Sequence, residues 1–401
     1  MRIAIFSETY LPDVNGVATH VKILAQGLKS LGHEVLVVTA DAQIKRSTVE
    51  SNILRCPAVR TKKIYNYSLS SPISLSRFRI LKKFRPDVIH IHNEFGIGLS
   101  GAFIAKLLRV PYVYTLHTMY DDYIYYIAKK RFVPIVTDAS HVYFRLLAKH
   151  ASALTGPSKK VGDYFKTKCG VDRYVNVISN PVELDIFSPE KVDMSETAAF
   201  RKQLGLTDDM MAACFCGRLG KEKSVDVLLK SFAEKVKKSD NIRLVIIGDG
   251  PDRAELEELS KALEIGDMVF FIGKIPHEKL PVYLCGCQVY ITASMSEMHS
   301  ISMLEAMAAG LPILYINDPS NSSQITDGVN GFIYNNASEM YEKLMYIKNL
   351  SKEDYDEFSR TVRESVSASG AEGLAGIMLN VYDEAIETHI LKVRNYYEKA
   401  N

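Results

Sequence analysis

The apolar residues of this chain alternate between two spacings along its length. Short runs rich in Val, Ile and Leu give way to longer stretches in which apolar residues recur every three or four positions. The short runs predict strands and the longer stretches predict helices. Their alternation predicts parallel sheets covered by helices on both faces. In the first half the rhythm covers residues 3–6, 17–31, 35–40, 87–92, 97–108 and 112–117.

The rhythm starts again in the second half, at residues 213–217, 224–236, 244–248, 269–272, 289–293, 304–309 and 312–316. A chain of 401 residues has room for two or three domains. We therefore predict an α/β fold with two doubly wound domains, residues 1–180 and 181–379. The join lies near Asn180-Pro181, and the residues from Ala371 onward predict a helix without a further strand.

Composition argues against several classes of protein. Hydrophobic residues make up 47% and charged residues 24% of the chain, which is globular usage rather than that of a disordered protein. No apolar run approaches the ~20 residues of a membrane span. The six cysteines lack zinc-type spacing, and Met1 leads directly into a strand pattern without a signal sequence. These features predict a reduced, cytoplasmic location.

The charges divide unevenly between the halves. Residues 1–180 hold 26 Lys and Arg against 12 Asp and Glu, a net charge of +14, and the rest of the chain carries −12. Such asymmetry predicts that the first half faces an anionic partner. Nucleic acid and an anionic membrane surface are the two candidates.

The motifs do not fit a dinucleotide-dependent enzyme. The first strand is followed by a polar turn with one glycine, Gly16, where the dinucleotide fingerprint needs three. A glycine opening a helix lets backbone N–H groups approach a phosphate, although an ordinary turn looks the same. His117 ends a strand at the sheet edge where ligands bind, but a lone histidine there is more often structural.

The second half carries the most specific motif, residues 296–312. Glu297 lies in the loop after a strand and Glu305 about two turns into the next helix, ~12 Å away if all is helical. This spacing suits contacts at the two ends of a sugar nucleotide, with the pyrophosphate over the helix N-terminus. Earlier, Arg218 and Lys223 follow a strand, in either an ordinary solvated basic loop or a pair of cations that stabilises a leaving diphosphate without a metal.

Together these motifs resemble the family-4 glycosyltransferases, retaining enzymes with the GT-B fold. The resemblance extends over nearly the whole chain. It rests on residues 13–17, His117, 156–158, 180–183 with Phe187, 217–219 with Lys223, 248–251, the Glu297/Glu305 pair and 327–331.

The resemblance implies two Rossmann-like domains facing across a cleft, with a C-terminal helix, about residues 380–401, crossing back to the first. It implies that Arg218 and Lys223 hold the donor diphosphate, that Glu297 contacts the sugar and that Glu305 contacts the ribose. His117 would contact the sugar near the reacting carbon. The implied catalytic residues are His117, Arg218, Lys223 and Glu297, and donor binding adds Gly16, Met298, His299, Ser300, Ile301 and Glu305. No metal or other cofactor is implied.

Two departures from the family pattern bear on the donor. Residues 298–300 read Met-His-Ser where the family has small residues including glycine, and residues 179–183 depart from the family's linker. Because neither change removes a charged residue, we expect activity, with the sugar and the nucleotide base left open.

Residues 117–127 resemble the diacylglycerol glucosyltransferases of the family. This run predicts acceptor contacts from Tyr120, Asp122, Tyr123 and Tyr126, since an aromatic loop suits a lipid with an apolar body and a hydroxyl head. Residues 75–85 predict a basic interfacial helix, or equally a core-packing helix with a cationic outer face. Its membrane-facing residues would be Arg77, Arg79, Lys82, Lys83 and Arg85.

The sequence thus predicts a retaining hexosyltransferase that moves glucose from a UDP-sugar to diacylglycerol at the inner face of the membrane. Its partners would be a nucleotide sugar, a lipid acceptor and an anionic membrane surface, and not nucleic acid. The alternatives are a polyprenyl-linked, phospholipid or polysaccharide acceptor, a UDP-sugar epimerase, and a binding protein without catalysis.

Overall fold

The computed structural model describes residues 1–13, 15–61, 68–119, 121, 130–297, 299–318 and 324–400. It divides into two compact units, one of Met1–Pro181 with Gly370–Asn401 and one of Val182–Ser369. Residues 370–379, predicted for the second domain, therefore belong to the first unit. No helix in the described ranges carries an apolar stretch long enough to cross a bilayer.

The first unit is built on one largely parallel sheet, in the order β3-β4-β2-β1-β6-β7-β8-β9 with β5 paired to β4. Among the described strands of this sheet, only β3 and β5 run antiparallel to their neighbour, β4. The strands are β1 Arg2–Ser7, β2 Glu34–Asp41, β3 Thr48–Glu50, β4 Ile53–Arg60, β5 Ser68–Ser70, β6 Val88–Ile91, β7 Tyr112–Thr115, β8 Ala153–Gly156 and β9 Asn176–Val177.

Helices cover this sheet on both faces, as the βαβ pattern requires. The helices described in the first unit are α1 Gly16–Ser30, α2 Leu75–Phe84, α3 Gly96–Leu108, α4 Val133–His150, α5 Lys160–Thr167 and, at the end of the chain, α14 Ala371–Ala400.

The C-terminal helix α14 is part of the core of the first unit. Leu374, Met378 and Tyr382 are buried with residues of β1 and α1. Gly27 of α1 allows the close approach, because a Cβ there would lie 2.0 Å from the carbonyl oxygen of Ala371. The helix therefore joins the first unit at its first residue, which explains why the division falls ten residues earlier than predicted.

The second unit has a parallel sheet in the order β12-β11-β10-β13-β14-β15. Its strands are β10 Met211–Cys216, β11 Ile242–Ile247, β12 Val269–Gly273, β13 Val289–Thr292, β14 Ile313–Ile316 and β15 Gly331–Tyr334. Its described helices are α6 Leu184–Phe187, α7 Met194–Gln203, α8 Val225–Lys235, α9 Arg253–Ala262, α10 Leu280–Leu284, α11 Ile301–Ala308, α12 Ala337–Lys348 and α13 Lys352–Glu364.

Both faces of the second sheet are buried, and alternate residues of one strand enter different cores. In β10, Ala213 and Phe215 pack in one cluster while Ala212 and Cys214 pack in the other. This period of two explains why the strands read as continuous apolar runs. The predicted α/β class is confirmed, and the chemistry-bearing loops lie where parallel strands place them, at the carboxyl edges of the sheets.

Candidate active site

In the second unit, the loops after β10 and β11 pack backbone against backbone. Gly248 has φ +140°, and a Cβ there would lie 1.8 Å from the carbonyl oxygen of Gly217, so only glycine fits. The loops are also joined by a hydrogen bond from the Leu219 N–H to the Asp249 carbonyl, 3.0 Å long. This contact fixes the turn that presents Arg218 and Lys223.

Lys223 and Glu297, predicted from separate motifs, are in direct contact. Lys223 ends a single 3-10 turn, and its Nζ donates to Oε1 of Glu297 at 2.5 Å. The loop of Glu297 is held in place because the Ser296 hydroxyl donates to the Glu222 carbonyl at 2.7 Å. The structure thus pairs a cation with a carboxylate at the carboxyl edge of the sheet.

Arg218 forms a second ion pair in the same turn. Its Nη1 lies 3.3 Å from Oε1 of Glu222, whose side chain is buried. The buried carboxylate holds the guanidinium to the turn that also carries Lys223. Arg218 and Lys223 thus lie at the two ends of a turn of six residues, an arrangement that suits the binding of a diphosphate.

Helix α11 begins beside Glu297, and Ser300 caps it. The Ser300 hydroxyl accepts the N–H of Met303 at 3.4 Å. The Gln324 side chain accepts the Ser300 N–H at 2.8 Å and donates to the Ser300 carbonyl at 2.7 Å. The Ser300 N–H is therefore already bonded, and an anion at this helix end would meet the next N–H groups, starting with that of Ile301.

Glu305 is buried on α11 and pairs with a histidine that sequence reasoning missed. Nε2 of His277 lies 2.7 Å from Oε1 of Glu305, and Nδ1 lies 3.9 Å from Oε2 of Glu183. Burial raises the pKa of Glu305, and the hydrogen bond from His277 opposes that shift. His277 therefore favours the ionised carboxylate, the form that accepts hydroxyl hydrogen bonds.

In the first unit, Gly16 is the first residue of α1, directly after its cap. The Asn15 side chain accepts the Ala18 N–H at 3.0 Å and donates to the Thr9 hydroxyl at 2.7 Å. No acidic residue occupies the first turn of α1. The helix end is thus preformed and free of acidic side chains, as the approach of a phosphate requires.

His117 belongs to a hydrogen-bonded chain of three histidines. Its Nε2 lies 2.8 Å from Nδ1 of His92, and Nε2 of His92 lies 3.2 Å from Nδ1 of His90. The chain ends on α14, where the Tyr382 hydroxyl lies 2.7 Å from Nδ1 of His90. The sequence predicts a position at the sheet edge for His117, and the structure adds the groups that hold its ring.

His20 of α1 packs against this chain. Its ring centroid is 4.7 Å from that of His117, and its Nδ1 lies 3.0 Å from Oδ1 of Asn180. Burial lowers the pKa of His20 to about 4 and lowers the pKa values of His90, His92 and His117 well below the usual value. These rings are neutral at pH 7, so His117 acts as a hydrogen-bonding group rather than as a cation.

His20, His92 and His117 bring three possible ligand nitrogens within 4.8 Å of one another. Two nitrogens bound tetrahedrally to one zinc ion lie about 3.3 Å apart. The 2.8 Å between His92 and His117 is shorter and matches a hydrogen bond. In this geometry the group is a hydrogen-bonded network rather than a preformed metal site.

Several predicted site residues lie outside the described residues, namely Met298 of the donor set and Tyr120, Asp122, Tyr123 and Tyr126 of the acceptor set. Within the acceptor segment Asp121 is described. Its carboxylate lies 2.9 Å from Nε2 of His141 and accepts the Tyr164 hydroxyl at 3.0 Å. His299 of the donor set is buried beside Ser300.

The predicted membrane helix is present as α2, and one of its predicted residues needs correction. Arg79, Lys82, Lys83 and Arg85 are exposed. Arg77 is buried, because its guanidinium donates to the Ser70 hydroxyl at 2.8 Å and to the Ser71 carbonyl at 3.0 Å. It therefore fastens α2 to the sheet and is not available to a membrane.

Comparison with known proteins supplies the family. Residues 14–186 match the family described as "Glycosyltransferase Family 4", and residues 196–365 match "Glycosyl transferases group 1". The sucrose-phosphate synthase of Thermosynechococcus elongatus shares the fold, with a TM-score of 0.73 at 19% identity over 96% of this chain and 98% of that one.

Three relatives extend the match. The alpha-monoglucosyldiacylglycerol synthase of Acholeplasma laidlawii is 32% identical over 87% of this chain and 88% of its own. The synthase of the same name from Streptococcus pneumoniae is 31% identical over 83% and 75%. The GDP-mannose-dependent alpha-mannosyltransferase of Corynebacterium glutamicum is 28% identical over 83% and 76%. The chain therefore belongs to the family-4 glycosyltransferases, with their GT-B fold, and is a hexosyltransferase.

Proposed function

We propose that this enzyme transfers glucose from UDP-glucose to diacylglycerol, with retention of the anomeric configuration, at the surface of an anionic membrane. The observation that carries the proposal is the similarity to two monoglucosyldiacylglycerol synthases over more than four fifths of the chain. Aromatic residues after His117 and the exposed cations of α2 are compatible with a lipid acceptor.

In the proposed reaction, the bond between the anomeric carbon and the diphosphate oxygen breaks and a bond to the acceptor oxygen forms on the same face of the sugar. The acceptor proton passes to the departing phosphate oxygen. Arg218 and Lys223 stabilise the charge that develops on the diphosphate, and these fixed cations take the place of a metal ion. Glu297 binds the sugar hydroxyls while Lys223 holds its carboxylate in place.

The remaining roles follow from the same contacts. Glu305 accepts the ribose hydroxyls, and the hydrogen bond from His277 favours its ionised form. Gly16 admits a phosphate to the N-terminus of α1. His117, neutral and held by His92, hydrogen-bonds the sugar near the reacting carbon rather than acting as a charged acid.

A second donor is also supported by a relative. The Corynebacterium protein is named for its use of GDP-mannose, and the motifs of this chain leave the sugar and the nucleotide base open. A GDP-mannose donor is therefore the alternative, and a polyprenyl-linked, phospholipid or polysaccharide acceptor is the corresponding alternative for the other substrate.

Nucleotide release separates these possibilities. The enzyme is mixed with UDP- and GDP-sugars and with anionic vesicles that contain or lack diacylglycerol. We expect UDP release that requires both UDP-glucose and diacylglycerol, with a glycolipid product of α configuration. If GDP-mannose is the one sugar nucleotide that releases its nucleotide, the donor is GDP-mannose rather than UDP-glucose. If product forms without diacylglycerol, the acceptor is a different molecule.

A further inference from the structure

An apolar depression, open to solvent, lies on the surface of the first unit, between strand β5 and helices α3 and α4. The space within it is about 380 Å³. It is lined by Leu69, Ser70, Pro72, Phe95, Gly96, Leu99 and Tyr143. We call it the α3 pocket.

The polar groups around the α3 pocket are bonded elsewhere. The N–H groups of Ser70 and of Ile97, the residue after Gly96, both donate to the Glu8 carboxylate, at 2.7 and 2.6 Å. On the wall, the Tyr143 hydroxyl donates to the Glu94 carbonyl. The pocket is therefore lined by carbon, and it suits a ligand that brings no hydrogen-bonding groups of its own.

Two aromatic rings form one wall. The rings of Phe95 and Tyr143 are nearly parallel, with an interplanar angle of 12° and centroids 6.1 Å apart. Phe95 remains 44% exposed and Leu69 42% exposed, which places apolar surface at the mouth. An extended hydrocarbon chain lying against this wall would cover both residues.

The mouth continues into the basic helix α2. Pro72 of the pocket is followed by Ile73 and Leu75, which are 80% and 62% exposed, and the same helix then presents Arg79, Lys82 and Lys83 to solvent. Apolar residues beside exposed cations are typical of a surface that contacts anionic lipid. This continuity favours a lipid over a second protein chain as the occupant.

The pocket also lies at the ligand-binding edge of the sheet. Glu8 follows β1 and Phe95 follows β6, as His117 follows β7, so all three lie beyond the carboxyl ends of neighbouring parallel strands. A lipid whose hydroxyl reaches this edge can place one chain in the α3 pocket.

We propose that the α3 pocket binds one acyl chain of the diacylglycerol acceptor and thereby contributes to selection of the acceptor. This inference rests on the proposed function and deepens it, because it assigns the apolar part of the substrate to named residues. The occupant is the substrate's chain, and not the bulk phospholipid that contacts α2.

Photolabelling tests the proposal on the unmodified enzyme. Diacylglycerol with a diazirine in one acyl chain is placed in anionic vesicles with the enzyme, irradiated, and the labelled peptides are identified by mass spectrometry. We expect label on peptides carrying Leu69, Phe95 or Leu99, displaced by unlabelled diacylglycerol. The assignment would be overturned if these peptides were labelled by a diazirine phosphatidylglycerol but not by the diazirine diacylglycerol. It would also be overturned if neither lipid labelled them.

A pair of tryptophan variants on α3 provides the kinetic test. Leu99→Trp fills the pocket, whereas Leu107→Trp adds the same ring at an exposed position of the same helix. We expect Leu99→Trp to raise the KM for long-chain diacylglycerol about tenfold or more, with little change for UDP-glucose, and Leu107→Trp to leave both unchanged. Equal KM values in the two variants would contradict the proposal.

The two hypotheses fail separately. Pocket labelling without any glycolipid product would disprove the proposed function and leave a lipid-binding pocket. Glycolipid synthesis without pocket labelling would leave the function intact and remove the pocket from it. Labelling needs no variant, so a folding defect in Leu99→Trp does not decide the outcome.

Discussion

At the scale of single residues, Lys223 has two proposed tasks. It faces the place expected for the diphosphate, and its Nζ holds Glu297 at 2.5 Å. Substitution by methionine keeps most of the side-chain volume, removes the charge and releases the carboxylate. We expect Lys223→Met to lower kcat by about 10²–10³-fold, the effect of losing one preorganised electrostatic contact to a transition state.

A matched control lies in the same turn. Lys221→Met removes an exposed cation two residues away, and we expect kcat to stay within a factor of about two, as for ordinary surface charges. Steady-state kinetics with saturating UDP-glucose and diacylglycerol measure both variants. A Lys223→Met enzyme with nearly normal kcat would remove this residue from the proposed site.

The charged residues of the candidate site were easier to predict from the sequence than the groups that they contact. Glu297, Arg218 and Lys223 were singled out because each follows a strand, and Glu305 because it lies eight positions after Glu297, on the next helix. The contact between Lys223 and Glu297 joins residues 74 positions apart, and no local pattern encodes such a pairing.

The histidines were the residues least predictable from the sequence. His277 follows β12 at the same sheet edge as the other loops, and this position was the one signal that could have identified it. For Arg77 the sequence predicted exposure, and this prediction was wrong. Its charge suggested exposure, but a guanidinium with enough hydrogen-bond acceptors can be buried, and Ser70 and Ser71 supply them.

At the scale of elements, most of the fold was predictable, because the strands are buried on both faces and therefore read as apolar runs. The residue at which the C-terminal helix joins the first unit was harder to predict from the sequence. It depends on Gly27, whose missing side chain admits Ala371, and such a close approach is visible only once both helices are placed.

Helix α2 carries the prediction that belongs to this scale. The triple variant Arg79→Gln, Lys82→Gln and Lys83→Gln removes three exposed cations and leaves the buried Arg77 in place. Each cation near an anionic membrane contributes about 1 kcal/mol, so we expect binding to anionic vesicles to weaken by a hundredfold or more at low salt, using about 1.4 kcal/mol per tenfold change. The difference should shrink as salt screens the charges.

Vesicle sedimentation at several salt concentrations measures this effect. A control triple in the second unit, Lys230→Gln, Lys235→Gln and Lys261→Gln, changes the net charge equally. Equal losses in the two triples would mean that net charge, rather than α2, attracts the membrane.

At the scale of the whole molecule, the first unit buries groups whose titration opposes one another. His20, His90, His92 and His117 have lowered pKa values, whereas burial raises the pKa of Glu8 to about 7. The unfolded chain binds protons on the histidines below about pH 6.5 while the folded chain does not, so stability falls as the pH drops.

Glu8 works in the other direction. The folded chain keeps its proton up to about pH 7 and the unfolded chain loses it at about pH 4.5, so Glu8 adds stability as the pH falls through this interval. Each fully titrating group changes the unfolding free energy by up to about 1.4 kcal/mol per pH unit. Because four histidines oppose one carboxyl, we expect net destabilisation of the first unit between pH 6.5 and 5.5.

Calorimetric unfolding of the full chain at these pH values measures how the unfolding free energy changes with pH. The variant Glu8→Gln removes the contribution of the carboxyl and leaves that of the histidines. Glutamine cannot accept both backbone N–H groups that Glu8 holds, so the variant should be less stable throughout. The informative quantity is the slope of the unfolding free energy against pH. Without the carboxyl that opposes the histidines, stability should fall more steeply with acid than in the unmodified enzyme. An unchanged or shallower slope would show that Glu8 is already ionised in the folded chain at these pH values.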